Sequence, residues 1–164
     1  MDQELFAGKY YMVTAGGKKG LYDVRAKKYV LPCDYSKVDG YHVFNGDEFV
    51  IVTKANKQGA YNLTDNKLII APQNDEVDMR SGYARIRRAG KYAVYSLEYN
   101  KMVFESPVEY VELMNDGYAL LQGPGMYEKG VYNLNWNEWF IDPIEGHDMG
   151  FLGGDYVGVA CKGV

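Results

Sequence analysis

Residues 80 to 92 carry five cations, Arg80, Arg85, Arg87, Arg88 and Lys91, with Tyr83 and Tyr92 among them. Guanidinium groups beside flat aromatic rings are what proteins use to hold phosphates and stack bases. Strand alternation sends Arg85 and Arg87 to one face and Ala84 and Ile86 to the other, the ordinary polar-out, apolar-in pattern. The whole chain carries a net charge of −4, so a nucleic acid is not the expected partner. Cys33 and His42 could pair as nucleophile and base. Cys33, however, follows a repeated proline whose other followers are Gln73, Val108 and Ile144, so it reads as variation at a scaffold position. Glu105, Glu109, Glu112 and Asp116 could supply paired carboxylates for acid–base work. Eleven acids fall within residues 92–164, and a solvated face accounts for them. Tyr127, Trp136, Trp139 and Phe140 gather in the last quarter of the chain, with Trp136 in a turn. A turn tryptophan either packs on a neighbour or anchors a partner.

The remaining chemistry is sparse. Two cysteines (Cys33 and Cys161) and two histidines (His42 and His147) show no ligand spacing, so neither a metal nor a cofactor is expected. Both cysteines read as part-buried free thiols, and His147 as a surface turn residue. Phosphate-binding, dinucleotide-binding and nucleophile-elbow motifs are absent from the sequence. The expectation is a non-catalytic protein.

What remains is a repeating frame. Tyr22, Tyr61, Tyr95 and Tyr132 recur at spacings of 39, 34 and 37, and Pro32, Pro72, Pro107 and Pro143 at 40, 35 and 36. Gly46, Gly82, Gly117 and Gly154 each precede a short apolar run. Around each tyrosine, apolar and polar residues alternate, as Tyr61 and Leu63 do against Asn62, which indicates half-buried strands. Short turn sequences such as LTDNK separate the strands, and proline, which cannot donate to a ladder, is expected to end the second. Each unit of about 36 residues is then two hairpins in series. Sixteen tyrosines and 19 glycines suit strands joined by tight turns.

The expected fold is all-β: one repeat domain over 1–164, built of tandem antiparallel hairpin repeats in an open twisted array. Its parts are an N-terminal half-repeat or cap at 1–16 and repeats at 17–55, 56–89, 90–124 and 125–164. A small closed propeller-like arrangement is the alternative.

The segment NKLIIAPQNDEVDMRSGYARIRRAGKYAVYS, with KKYVLPCDYSKV in the first repeat, resembles the WG (KWG) repeat family of bacterial proteins. The resemblance covers about residues 8–162. The family tryptophan is replaced by Lys19, Gln58, Tyr92 and Lys129, and the glycine after it by Ala93 in the third unit. It implies a binding scaffold and names no reaction.

Charge sharpens the functional expectation. Residues 1–91 hold 15 Lys/Arg against 11 Asp/Glu, and residues 92–164 hold 3 against 11. An acidic surface steers a basic partner. The expected role is therefore binding of another protein, with candidate contacts at Tyr127, Trp136, Trp139, Glu109, Glu112 and Asp116. A sharper version is a small protein that acts by occupying a partner's surface, as immunity or phage anti-defence inhibitors do. A glycan or small-ligand binder using exposed Tyr and Trp is the rival. The N-terminus lacks the cationic start and apolar run of a signal peptide, and a cytoplasmic location without membrane contact is expected.

Overall fold

The computed structural model describes residues 4–104, 106–145, 147–153 and 156–161. They form an all-β structure of small antiparallel sheets. The first sheet runs β1 (Glu4–Phe6), β2 (Tyr10–Ala15), β3 (Lys18–Asp23), β4 (Lys28–Tyr35). The second runs β5 (Lys37–Phe44), β6 (Asp47–Lys54), β7 (Lys57–Asn62), β8 (Lys67–Asn74). The third holds β9 (Glu76–Arg80), β10 (Tyr83–Arg88), β11 (Lys91–Ser96) and β12 (Lys101–Met102). The fourth holds β13 (Tyr110–Leu113), β14 (Tyr118–Gln122), β15 (Gly130–Asn133) and β16 (Glu138–Ile141). The last pairs β17 (His147–Gly153) with β18 (Tyr156–Cys161). Neighbours in each sheet are neighbours in sequence, so every sheet is an open meander. The chain divides into two compact units, Met1–Asp78 and Met79–Val164, with the boundary inside β9.

Turn chemistry explains the meander. Gly16–Gly17, Ala55–Asn56 and Ala89–Gly90 place both central residues at positive φ. That is the geometry whose twist matches flanking strands in two-residue hairpins. The wider hairpins close through four-residue loops that end on Lys27, Asn66, Asn100 or Asn137, all left-handed. Each loop is capped from within. Asp23, Asn62 and Asn133 accept backbone N–H bonds from their loops through side-chain oxygens, and Ser96 does so through its hydroxyl. The anchor tyrosines Tyr61 and Tyr132 donate to Asn66 and Asn137 at 2.7 and 3.0 Å.

Two expectations need correction. The sheets are half a unit out of phase with the sequence repeats. Each complete sheet takes two strands from the end of one repeat and two from the start of the next, so the N-terminal half-repeat supplies β1 and β2, half of a complete sheet. The second correction concerns proline. Pro32 and Pro72 lie inside β4 and β8 instead of ending them. Both strands are the outermost of their sheets, where a missing N–H faces no partner, and both ladders shift register there. Pro107 and Pro143 do fall outside strands.

The shift brings backbone against backbone. A Cβ on Gly20 would sit 2.6 Å from the Leu31 carbonyl oxygen, one on Gly59 2.3 Å from that of Ile70, and one on Gly130 2.5 Å from that of Ile141. Ala93 takes this place in the third sheet. There β12 pairs over only two residues, and the edge resumes at a separate Tyr92–Val108 bridge.

Within the first unit, the first and second sheets share a core of Leu21, Leu31, Val50, Val52, Tyr10 and Tyr61. A carboxylate fastens its rim. Glu48 accepts hydrogen bonds from Lys9 Nζ at 2.6 Å, from Tyr41 at 2.5 Å and from Tyr10. Burial pushes the Glu48 carboxyl up, but the bonds from Lys9, Tyr10 and Tyr41 outweigh it and hold the group below its ordinary value. Burial and the same carboxylate push Tyr41 up to about 12.

Two outcomes follow. Gly59→Ala should cost about 2 kcal/mol in urea unfolding, because the carbonyl it meets cannot swing away, whereas Ala93→Gly should leave the third sheet paired. Glu48→Gln should destabilise the protein by about 1–2 kcal/mol at neutral pH. A depressed carboxyl stabilises fully above the unfolded value near pH 4.3 and loses that contribution as pH falls through the folded value. The gap between wild type and variant should therefore close in strong acid, and a constant gap would refute the assignment.

Candidate functional site: an aromatic pocket in the second unit

The fourth sheet sorts its side chains onto two faces. Leu113, Ala119, Tyr132 and Trp139 lie in register on one, and Glu112, Leu120, Val131 and Ile141 on the other. The first face packs with Tyr83, Val94 and Val108 into the core of the second unit. Trp139 is thus a scaffold residue. It stands across from its anchor tyrosine as Tyr29, Leu68 and Met102 do in their hairpins, with ring centroids 5.1 Å from Tyr132.

That position also opens onto a cavity. Where the other three such hairpins place six residues between paired positions, as from Val52 to Gly59, the fourth sheet places eight between Leu121 and Gly130. Pro124 removes a ladder donor there, and the pairing stops at Leu121–Gly130. The freed loop is pinned by Gln122, whose side-chain amide donates to the Met126 carbonyl at 2.6 Å. On the facing edge, β12 stops at Met102 and the chain departs through Phe104. Between the two departures lies a pocket of about 500 Å³ lined by Phe104, Val108, Pro124, Met126, Tyr132 and Trp139, with Ser106 and Asn137 as polar members. Phe104 meets Tyr132 edge-on at 5.5 Å, so three aromatic rings run in sequence.

The other expected contacts lie apart in character. Tyr127, on the pinned loop, is 92% exposed. Trp136 is 71% exposed, so it does not fold back on a neighbour; its backbone N–H is bonded to Asn133 Oδ1. Glu109 is paired with Lys91 at the surface, and Glu112 with Arg85 in a half-buried place. Asp116 occupies a left-handed turn position, and its carbonyl accepts from Asn135. Glu105 lies outside the described residues.

These pairs answer the question of the basic stretch. Arg85 and Arg87 do not face open solvent, because the strand face that carries them is half-buried. Arg85 Nη1 sits 2.5 Å from Glu112, and Arg80 donates to Asn115 and to the Leu113 carbonyl. Arg80 and Arg85 thus bind β13 and the turn after it. Two cations of the basic stretch, Arg85 and Lys91, pair with two of the acids singled out by sequence, Glu112 and Glu109.

The catalytic candidates stay separate. The Cys33 thiol donates to the Val13 carbonyl at 3.6 Å, and the Cys161 side chain lies outside the described residues. Burial lowers the His42 pKa, and its Nε2 has no hydrogen-bond partner among the described residues. No group of three His, Cys, Asp or Glu able to hold a metal occurs among the described residues, and no helix there is long and apolar enough to cross a membrane.

No family model matches this sequence, and no curated protein matches it. Solved structures similar to it are propeller-like. Hsv2 of Kluyveromyces lactis is 9% identical, with a TM-score of 0.41 over 76% of this chain and 42% of that one. The N-terminal domain of Nup159 is 11% identical, with a TM-score of 0.39 over 70% and 36%. PorZ, a surface component of the type-IX secretion system of Porphyromonas gingivalis, is 15% identical, with a TM-score of 0.37 over 90% and 21%. The chain spans less than half the length of each.

A double-mutant cycle on Arg85→Ala and Glu112→Ala should return a coupling energy of about 1 kcal/mol, the size for a half-buried pair. Strict additivity would show that the two charges are solvated independently.

Proposed function

We propose that this protein is a non-catalytic binding module that holds an apolar anchor side chain of a partner protein in the pocket beside Trp139. The observation that carries the reading is the two-residue expansion at Gln122–Lys129, the place where the hairpin pattern is broken and a cavity results. Loops that depart from a rigid scaffold are where binding residues concentrate, and buried aromatic anchors dominate protein interfaces. The exposed Tyr127 and the acids of residues 92–164 favour a partner with a basic surface. A glycan is the second reading. It is favoured by one feature, the Asn137 amide beside the rings of Tyr132 and Trp139, since sugars stack on aromatics while bonding to amides.

The test replaces Gln122–Lys129 with Thr-Lys-Ala-Asn-Lys-Gln, the six residues that join Val52 to Gly59 in this same chain. The variant should fold with unchanged unfolding midpoint yet lose a stoichiometric protein that the immobilised wild type retains from host extract. Trp136→Ala serves as a surface control of unchanged stability. Equal retention by the loop variant would overturn the pocket as the site. Saturable tryptophan quenching by a glycan, with no protein retained, would decide for the second reading.

A further inference from the structure

A second cavity of the second unit, more polar than the first, lies where the third sheet meets the loop between β15 and β16. Tyr83 stands opposite Ser96 in the ladder of β10 and β11, and Ser96 opposite Lys101 in that of β11 and β12. Residues directly opposite in a ladder share a face, so a phenol, a hydroxyl and an ammonium stand in one row. Leu134, Asn135 and Asn137 of the loop face this row across a cavity of about 200 Å³. Tyr83, Ser96 and Leu134 are buried at its inner side, and Tyr99 and Met102 are exposed at its mouth.

Hydrogen bonds decide what this cavity can accept. Asn135 is engaged at both ends. Its Oδ1 accepts from the Tyr83 hydroxyl at 2.8 Å, and its Nδ2 donates to the Asp116 carbonyl at 3.1 Å. Asn137 Oδ1 accepts from Tyr132, and Ser96 Oγ accepts from the Tyr99 N–H. The side-chain capacity left over is that of donors: the Asn137 amide N–H groups, the Ser96 O–H and the Lys101 ammonium. Lys101 is one of three cations in residues 92–164. It lies 5.6 Å from the centroid of the Tyr99 ring and pairs with no acid among the described residues.

The first unit answers the same position differently. Glu48 in the second sheet and Gly117 in the fourth are equivalent, since the carbonyl of each accepts from the loop that follows, at Leu63 and Leu134. Tyr10 is likewise the equivalent of Tyr83. Tyr10 donates to Glu48, a carboxylate that the chain itself supplies. Tyr83 donates instead to the neutral amide of Asn135, and Gly117 brings no carboxylate.

We propose that this cavity binds a small monocarboxylate with a flat apolar body. The carboxylate, which only accepts hydrogen bonds, takes those of Lys101, Ser96 and Asn137. The flat body lies against Tyr99 and Met102, where a ring gains from offset contact with the tyrosine. One lysine matches one charge, whereas a phosphate group brings nearly two. The cavity shares Val103 and Asn137 with the pocket beside Trp139, and the proposal does not rest on the role given to that pocket.

Sodium benzoate, titrated at pH 7 and followed by amide chemical shifts, tests it. The shifts should saturate in the millimolar range and centre on Tyr99, Lys101 and Asn137. Benzamide, of the same shape without the charge, should bind at least about tenfold more weakly. The same loss is expected for benzoate in Lys101→Met, which keeps the stem of an exposed side chain and drops its charge. Asn137→Asp keeps the acceptor for Tyr132 and a residue type that tolerates the left-handed turn, and should abolish binding by setting like charges together. The variant with the replaced Gln122–Lys129 loop should bind benzoate as the wild type does. Absence of saturable shifts, or equal affinity for benzamide or in Lys101→Met, would overturn the proposal. Tighter binding of inorganic phosphate than of benzoate would overturn it too, by assigning the cavity to a different anion.

Discussion

A four-stranded meander has two faces, and only a neighbour can keep either of them dry. That constraint shapes every sheet in this protein. It explains why Phe49-Val50-Ile51-Val52 is buried at every position rather than alternately, since the strand is covered from both sides. It also explains why the charged residues that fall between sheets are paired. Glu48 is bonded by Lys9 and two tyrosines, and Arg85 by Glu112. A lone charge in such a place would forfeit its hydration without compensation.

Much of the frame was legible in the sequence, because hairpins are local. The alternation around each anchor tyrosine and the turn residues beside it act within about ten residues, and among the described residues they mark strands and turns that are present; Gly154 lies outside those residues. The phase of the sheets was not legible. Hydrogen bonding between β2 and β3 or between β6 and β7 depends on which hairpins lie side by side, and the repeat reads the same in either grouping. The prolines misled for a related reason. A missing N–H is harmless on an outermost strand, and the sequence does not say which strand is outermost. Arg85 was read as solvent-facing because its partner, Glu112, is 27 residues away in a different sheet.

The pocket left a fainter trace. Trp139 was noticed for its residue type, yet its position is an ordinary one in the hairpin. The residue that marks the site is Pro124. Four of five prolines occupy the repeated position, and Pro124 is the exception. Its position in a repeat, rather than its chemistry, is the signal. The same holds for Ala93, which replaces the glycine of the other hairpins and coincides with the short β12 that opens the facing side of the pocket.

The half-unit offset has a consequence for how such a chain can grow and break. Every repeat is shared between two sheets, as a brick in running bond is shared between two courses. Duplicating one whole repeat would add a complete sheet without leaving a broken one, so lengthening by recombination preserves every ladder. Melting one repeat, by contrast, removes half of each of two sheets. Neighbouring sheets are thereby committed to unfold together, and a chain of weak four-stranded pieces acquires the cooperativity of a larger body.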